Sequence, residues 1–384
     1  MNTFFYSLWK TIMSKDTTIP PLFTPFSLRE ITFKNRIMMS PMCMYSAKDL
    51  DGTPNEFHIA HLGARALGGA GLICTEMTQI SPNGRISLGD AGIWDDKHIE
   101  PWKRVVDFVH QNSEAKIALQ LGHAGRKGCN PLSWERTNPL PNHLHWEMLA
   151  PSAIPFGPDT NAPREMNEAD MASIKDAFVS AAKRADKAGF DMIELHCGHG
   201  YLLSSFISPL SNHRDDIYGG SIENRMKFPL EIYQAVRTIW PEKKPISARI
   251  SAVDWVKGGN EIKDAITIAA MFNDVGLDIL DVSSGNVTHE KRPPLTGLFQ
   301  TPLSETIRNN IDIPTITVGN ITTGKQANEI ISESCADICA IGKGHLYDPF
   351  WSHHAARELG YTEPWPKQYL AANNFRENND RMTQ

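Results

Sequence analysis

Eight times along this chain a short run of β-branched or other apolar residues gives way to a longer amphipathic stretch. The apolar runs fall at 36–40, 71–75, 116–120, 191–195, 245–250, 277–282, 314–318 and 336–341. The stretches with helical periodicity fall between and after them, at 58–67, 99–112, 168–188, 222–239, 262–275, 302–309, 324–332 and 349–359. Parallel strands need crossover connections, so strict β/α alternation predicts a parallel sheet with its helices outside. Eight such units predict an α/β fold of one closed (β/α)8 TIM barrel with extended βα loops, rather than an open doubly wound sheet. No GxGxxG follows any of the eight runs, which weakens a dinucleotide-binding sheet. With 384 residues, 41% of them hydrophobic, the chain has enough apolar surface for a large core. No linker, low-complexity run or internal repeat divides it. The expected organisation is an N-terminal arm at 1–18 outside the fold, a barrel over 19–370, and a polar tail at 371–384.

Charge and cysteine usage exclude several classes. A formal net charge of -6 with scattered basic residues argues against nucleic-acid and anionic-membrane partners. No uninterrupted apolar stretch is long enough to cross a bilayer, and residues 1–21 carry no signal-peptide pattern. The six cysteines lack CxxC spacing, a reduced, cytoplasmic pattern rather than a disulfide framework. Cys74 and Cys339 lie in apolar runs and are expected in the core.

A barrel of this kind carries its chemistry at the C-terminal ends of its strands. The fourth run ends in His196, His199 and Tyr201, three groups able to donate hydrogen bonds or move protons. Packed histidines beside a surface tyrosine, or a metal pair with Glu194, are the competing readings of that trio. The first run ends Ser40-Pro41-Met42-Cys43-Met44-Tyr45, where a small residue and a proline let backbone approach a ligand. The third ends at Gln120, whose amide both donates and accepts. Arg249 sits inside the fifth run, a costly place for a cation without an anionic partner. The last two runs end in Gly319-Asn320 and Gly342-Lys343-Gly344, where a barrel usually cradles phosphate. Two connections, 121–167 and 283–301, are long enough to be lids.

The ordered set His196-x-x-His199-Gly200-Tyr201, Phe206, Ser208-Pro209-Leu210-Ser211-Asn212, Arg214-x-Asp216, Tyr218-Gly219-Gly220 and Glu223-Asn224-Arg225 resembles the signature of the Old Yellow Enzyme family of FMN-dependent ene-reductases. The resemblance spans roughly residues 21–363 and is strongest to the thermophilic-like branch. It implies FMN as cofactor, NADPH or NADH as reductant, and an α,β-unsaturated carbonyl compound (enone or enoyl) as substrate. It further implies that Ser40, Pro41, Met42, Cys43, Met77, Gln120, Arg249, Gly319, Asn320, Gly342 and Lys343 bind the cofactor. Cys43 would touch the isoalloxazine, Gln120 the pyrimidine edge, Arg249 the N1–C2=O edge, and Gly342 and Lys343 the phosphate. Tyr45, His196 and His199 would bind substrate, the histidines holding its carbonyl oxygen, and Tyr201 would protonate the α-carbon while hydride arrives from flavin N5. The Gln120 to Lys127 stretch, similar to the family's QLxHAGR(K), makes Arg126 and Lys127 a wall of the site.

Three departures accompany the resemblance. Lys343 stands where the family usually has arginine, which gives up bidentate geometry. Met77 replaces a smaller residue. Gln368-Tyr369 is followed by Leu370-Ala371, with no arginine until Arg376, so the arginine that relatives reach into a partner's site is missing, although a homodimer or homotetramer is still expected. Several stretches, among them RALGGAGL at 65–72, are similar to the ene-reductase-like half of anthraniloyl-CoA and salicyloyl-CoA monooxygenases, which suggests CoA thioesters among the substrates. The alternatives are a flavin-based electron supplier for a separate monooxygenase, and a metal-dependent barrel hydrolase using His196 and His199.

Overall fold

The structure, a computed structural model, describes residues 19–47, 50–135, 140–290 and 296–372. The expected arm at 1–18, most of the tail and residues 291–295 of the second long connection lie outside the described residues. Eight strands form the barrel: β1 (Ile37–Met39), β2 (Leu72–Cys74), β3 (Lys116–Gly122), β4 (Met192–Cys197), β5 (Ile246–Ser251), β6 (Ile279–Ser283), β7 (Thr315–Val318) and β8 (Ile338–Ile341). Each pairs in parallel with the next, β8 returns to β1, and the ring is closed. The eight apolar runs are these eight strands, each within three residues of its expected limits.

The helices alternate with them: α1 (Glu56–Leu67), α2 (Ile99–Asn112), α3 (Glu168–Ala188), α4 (Ile222–Ile239), α5 (Ile262–Asp274), α6 (Thr301–Asn310), α7 (Gly324–Ser332) and α8 (Trp351–Glu358). Their limits follow from caps. Asn55 accepts from the Phe57 amide and starts α1 two residues before the expected His58. In α3 the Asn167 side chain takes the Asp170 amide, and Gly189 ends the helix at φ 92. Between those caps Met171, Ile174, Phe178, Ala181, Ala182, Ala185 and Ala188 recur every three or four residues and are all buried. Burying Phe178 alone contributes roughly 2–3 kcal/mol. No helix among the described residues is long and apolar enough to cross a membrane.

Several short elements went unread in the sequence, three of which bear on the barrel ends. An antiparallel hairpin, Phe26–Leu28 with Ile31–Phe33, precedes β1. Its Leu28 and Phe33 pack with Met38, Leu72, Ala118, Met192, Ile279, Ile316 and Ile338. These are residues from the starts and middles of the barrel strands, so the hairpin plugs the N-terminal end of the barrel. The helices Leu202–Ile207 and Lys343–Tyr347 follow β4 and β8 directly. Each is too short to announce itself by periodicity.

Candidate active site

Successive residues of a strand point to opposite faces, so every second residue looks into the barrel. Register then stacks the inward residues in layers. Gln120, Glu194 and Ser247 are Cα partners across β3, β4 and β5, and one level higher His196, Arg249 and Asp281 are partners across β4, β5 and β6. Along β4 the interior therefore changes from Met192 through Glu194 to His196. Ile193, Leu195 and Cys197 point outward into the helix layer. The floor is apolar, and the top is polar.

Glu194 is fully buried and accepts from Gln120 Nε2 at 2.9 Å and Ser247 Oγ at 3.0 Å. Asp281, equally buried, lies 3.3 Å from Arg249 Nε and has no hydrogen bond at either oxygen. Burial holds both carboxyls above the ordinary range, mutual repulsion pushes Glu194 further, and Arg249 pulls both down. Arg249 also reaches Ser40 Oγ at the end of β1, at 3.4 Å. The costly arginine of the sequence thus has an anionic partner on its own chain, and its Nη1 points to the β1 end of the mouth.

His196, His199 and Tyr201 come together as expected. Ring centroids are 5.1 Å apart for both His196–His199 and His196–Tyr201. The turn that groups them is tight: His199 sits at φ 61 and Gly200 at φ 73, where an added Cβ would stand 2.7 Å from the Asn286 carbonyl oxygen. The His199 amide donates to Ser251 Oγ at 2.8 Å, which ties the turn to the end of β5. Burial drives both imidazoles well below 6.5, helped by the Arg249 charge, and drives the Tyr201 phenol well above 10. All three groups are therefore neutral near pH 7. The Gly198 amide donates to His196 Nδ1 at 3.4 Å, so the neutral ring carries its proton on Nε2.

His199 is governed by two residues that sequence reading missed. Its Nε2 lies 2.7 Å from Ser283 Oγ at the end of β6. Gln300 Nε2 donates to the Val318 carbonyl, which turns Gln300 Oε1 toward Ser283 and Ser284. The Ser283 hydroxyl has one proton and two competing acceptors. Given to Gln300, it leaves His199 protonated on Nε2; given to His199, it makes the ring a donor through Nδ1. No residue pattern marks this relay, because it joins β6 to the loop before α6.

Several cofactor candidates meet at the mouth. The loops after β1 and β8 touch: an added Cβ on Gly342 would lie 3.8 Å from Met42 Sδ and 3.9 Å from Ser40 Cβ, with ordinary room. Lys343 is exposed and makes no ion pair among the described residues. Gly319 adopts φ 114, with the Gln300 amide 2.5 Å from where a Cβ would be; exposed Asn320 follows at φ 52. Met77 is accommodated because β3 ends in Gly122, whose Cβ would come within 2.5 Å of it. Cys43, half-buried, packs with Met77, Tyr45 and Tyr201, and burial keeps it a thiol, beside Asp90 and Glu76. Pro41 and Met42 are half-buried in the same loop. Cations at two points, Lys343 and the Arg249 guanidinium against Ser40, with glycines at the loop bends, are the donor set that an anionic cofactor with a polar ring edge needs, so these residues fit FMN.

Beside Tyr45 and Tyr201 opens a cavity of about 570 Å3, lined also by Arg126, Lys127, Asn286 and His289 from the two long loops. Trp134 stands edge-on to Tyr45 at 6.4 Å. The polar run after Tyr201, by contrast, is scaffold. Ser208 binds Asp254, Asn212 binds the Phe206 and Tyr218 carbonyls, and Arg225 binds those of Ile207 and Gly220. Its density in Asn, Asp, Arg and Ser holds a loop together and does not enter the pocket. Cys74 and Cys339 are buried, and all six cysteines are free.

Comparison with known proteins shows the family of the chain. The NADH:flavin oxidoreductase / NADH oxidase family model matches residues 21–361. The NADPH dehydrogenase of Geobacillus thermodenitrificans is 44% identical over 348 residues, 91% of this chain and 97% of the relative. That of Bacillus subtilis is 42% identical over 91% of this chain and 98% of its own. Among solved structures, morphinone reductase aligns over 94% of both chains with a TM-score of 0.74 and 27% identity. Its complex with tetrahydroNAD aligns with a TM-score of 0.73 and 28% identity, over 91% of this chain and 94% of that one. The cofactor is accordingly FMN and the reductant a nicotinamide, and the metal-dependent hydrolase reading falls away. A closed barrel with this mouth, matched by that family over nearly its whole length, belongs to the NADH:flavin oxidoreductases of the Old Yellow Enzyme family.

Proposed function

We propose that the chain is an ene-reductase, which reduces the activated C=C bond of an α,β-unsaturated carbonyl compound, CoA thioesters included, at the expense of NADPH or NADH. The observation that carries this reading is the grouping of His196, His199 and Tyr201, all neutral, at the end of β4 and beside a cavity of about 570 Å3. When bound, FMN supplies the two-electron chemistry between nicotinamide and alkene. Ser40, Pro41, Met42, Cys43, Met77 and Gln120 would line its ring, Arg249 would face its polar edge, and Gly319, Asn320, Gly342 and Lys343 would hold its phosphate end.

The chain's own residues do the rest. His196 donates from Nε2 to the substrate carbonyl oxygen, and His199 donates beside it from Nδ1 when the Ser283 hydroxyl hydrogen-bonds to its Nε2. Neutral donors preorganised in a dry site stabilise the oxygen as it becomes enolate-like. Tyr45, with Tyr201, flanks the substrate. The Tyr201 hydroxyl gives its proton to the α-carbon; the electron pair of the enolate forms the new C–H bond, the carbonyl is restored, and the phenolate is reprotonated from the cavity. A phenol held above 10 by burial is protonated whenever the step needs it. The test is product stoichiometry: anaerobic incubation with NADPH and cyclohexenone should give one cyclohexanone per NADPH oxidised. NADPH oxidation without any saturated ketone would refute the reading.

A further inference from the structure

The cavity beside Tyr45 and Tyr201 has an electrostatic imbalance. Two of its lining residues, Arg126 and Lys127, are basic, burial lowering Lys127 to about 7 and Arg126 to about 10, and no Asp or Glu among the described residues lines it. Neither forms an ion pair among the described residues. Arg126 is 2% exposed, donates to the carbonyls of Val287, Ile154 and Pro155, and leaves Nε without a partner. Lys127 Nζ donates to the His199 carbonyl at 2.7 Å and the Asn286 carbonyl at 3.1 Å. It lies 4.4 Å from the Phe156 ring centre and 4.7 Å from that of Tyr201. Carbonyl dipoles and ring faces soften the cost of withdrawing two adjacent basic groups from water, but they do not keep the Lys127 ammonium fully protonated near pH 7, which a bound anion would do. Thr288, also lining the cavity, has a buried hydroxyl with no partner. The wall is therefore short of one acceptor group bearing negative charge.

We infer that this cavity is an anion subsite, and that the alkene substrate carries a carboxylate or phosphate which Lys127 receives at the outer edge of the catalytic pocket. The inference rests on the ene-reductase reading for where the ligand's carbonyl end sits. The reach is short: the Tyr201 ring is 5.1 Å from that of His196 and 4.7 Å from the Lys127 ammonium. A ligand held at His196 thus meets Lys127 through a tail of a few atoms. A lysine suits this work, because its third proton is not committed to a carbonyl.

The test uses the FMN-loaded enzyme and two phenols of one shape, phloretate and its methyl ester, titrated through the flavin absorption spectrum. The wild type should bind the acid about tenfold more tightly than the ester, the size of one charge-assisted hydrogen bond. Lys127→Gln should bring that ratio to about one, Lys127→Arg should keep most of it, and Ser133→Asp, at another lining position, should invert it. A wild-type ratio near one, or one untouched by Lys127→Gln, would overturn the subsite. So would an intact ratio with NADPH weakened relative to NADH in the reductive half-reaction, since the anion would then be the reductant's own phosphate. Loss of both phenols would overturn the underlying reading and the subsite with it, whereas normal ester binding without an acid preference overturns the subsite alone.

Discussion

Replacing Tyr201 by phenylalanine separates chemistry from architecture. The Tyr201 ring packs against His196 and under the Lys127 ammonium, and both contacts survive in phenylalanine. Its hydroxyl forms no hydrogen bond with the described residues, so its removal orphans no buried partner. Stability should change by no more than about 0.5 kcal/mol, as for a substitution that breaks no packing or polar contact. The proton delivered to the α-carbon, however, comes from that hydroxyl. Losing a positioned general acid costs about a hundred- to ten-thousand-fold, or roughly 3–5 kcal/mol of barrier. Stopped-flow absorbance resolves the two half-reactions: reduction by NADPH should stay within about threefold of wild type, because no proton passes through Tyr201 there. Reoxidation by cyclohexenone should slow by the full factor, with an unchanged urea midpoint. Equal loss in both half-reactions, or an unaffected reoxidation, would refute the role of Tyr201.

Other perturbations follow from the same geometry. His196→Ala combined with His199→Ala should weaken phenol binding at least about tenfold through the loss of two donors. Because burial holds both imidazoles well below 6.5, wild-type affinity for a neutral ketone should be flat from about pH 5.5 to 8, and a step near 6.5 would contradict their neutrality. Arg249→Met leaves Asp281 buried with no counter-ion and should cost the FMN-free protein about 3–5 kcal/mol in denaturant unfolding. Its carboxyls, already raised by burial, would hold protons that the unfolded chain releases, so the loss should grow as pH rises from about 5 to 8. Lys343→Gln should loosen FMN about tenfold and Lys343→Arg should tighten it, read from flavin fluorescence released on dilution. Equal retention in both variants would remove Lys343 from the phosphate grip.

Much of the architecture was legible because it is carried by local period. The apolar runs and the helical stripes lie within single segments, and α2, α3, α4 and α7 have the limits that their residues imply. The site was legible in outline because a barrel puts strand ends in one place, so His196, Arg249 and Gly342 could be grouped from their positions alone. What escaped depends on register between distant segments. That Arg249 stands level with Asp281 and His196, or that Glu194 meets Gln120 and Ser247, follows from strand pairing and not from any motif. The Ser283–Gln300 hold on His199 is of the same kind. The polar run from Ser208 to Arg225 owes its composition to a different kind of long-range demand. Its side chains satisfy backbone carbonyls of a buried loop, a demand invisible until the loop's path is known.

The central claim is that one site accepts electrons from NADPH and delivers them to an activated alkene. The most direct measurement is the anaerobic visible spectrum of the FMN-loaded protein, before and after one equivalent of NADPH, and then with cyclohexenone. The oxidised flavin band should bleach with NADPH and return in full with the enone. A band that bleaches but returns only when oxygen is admitted would contradict ene-reduction and favour an electron-supplying role.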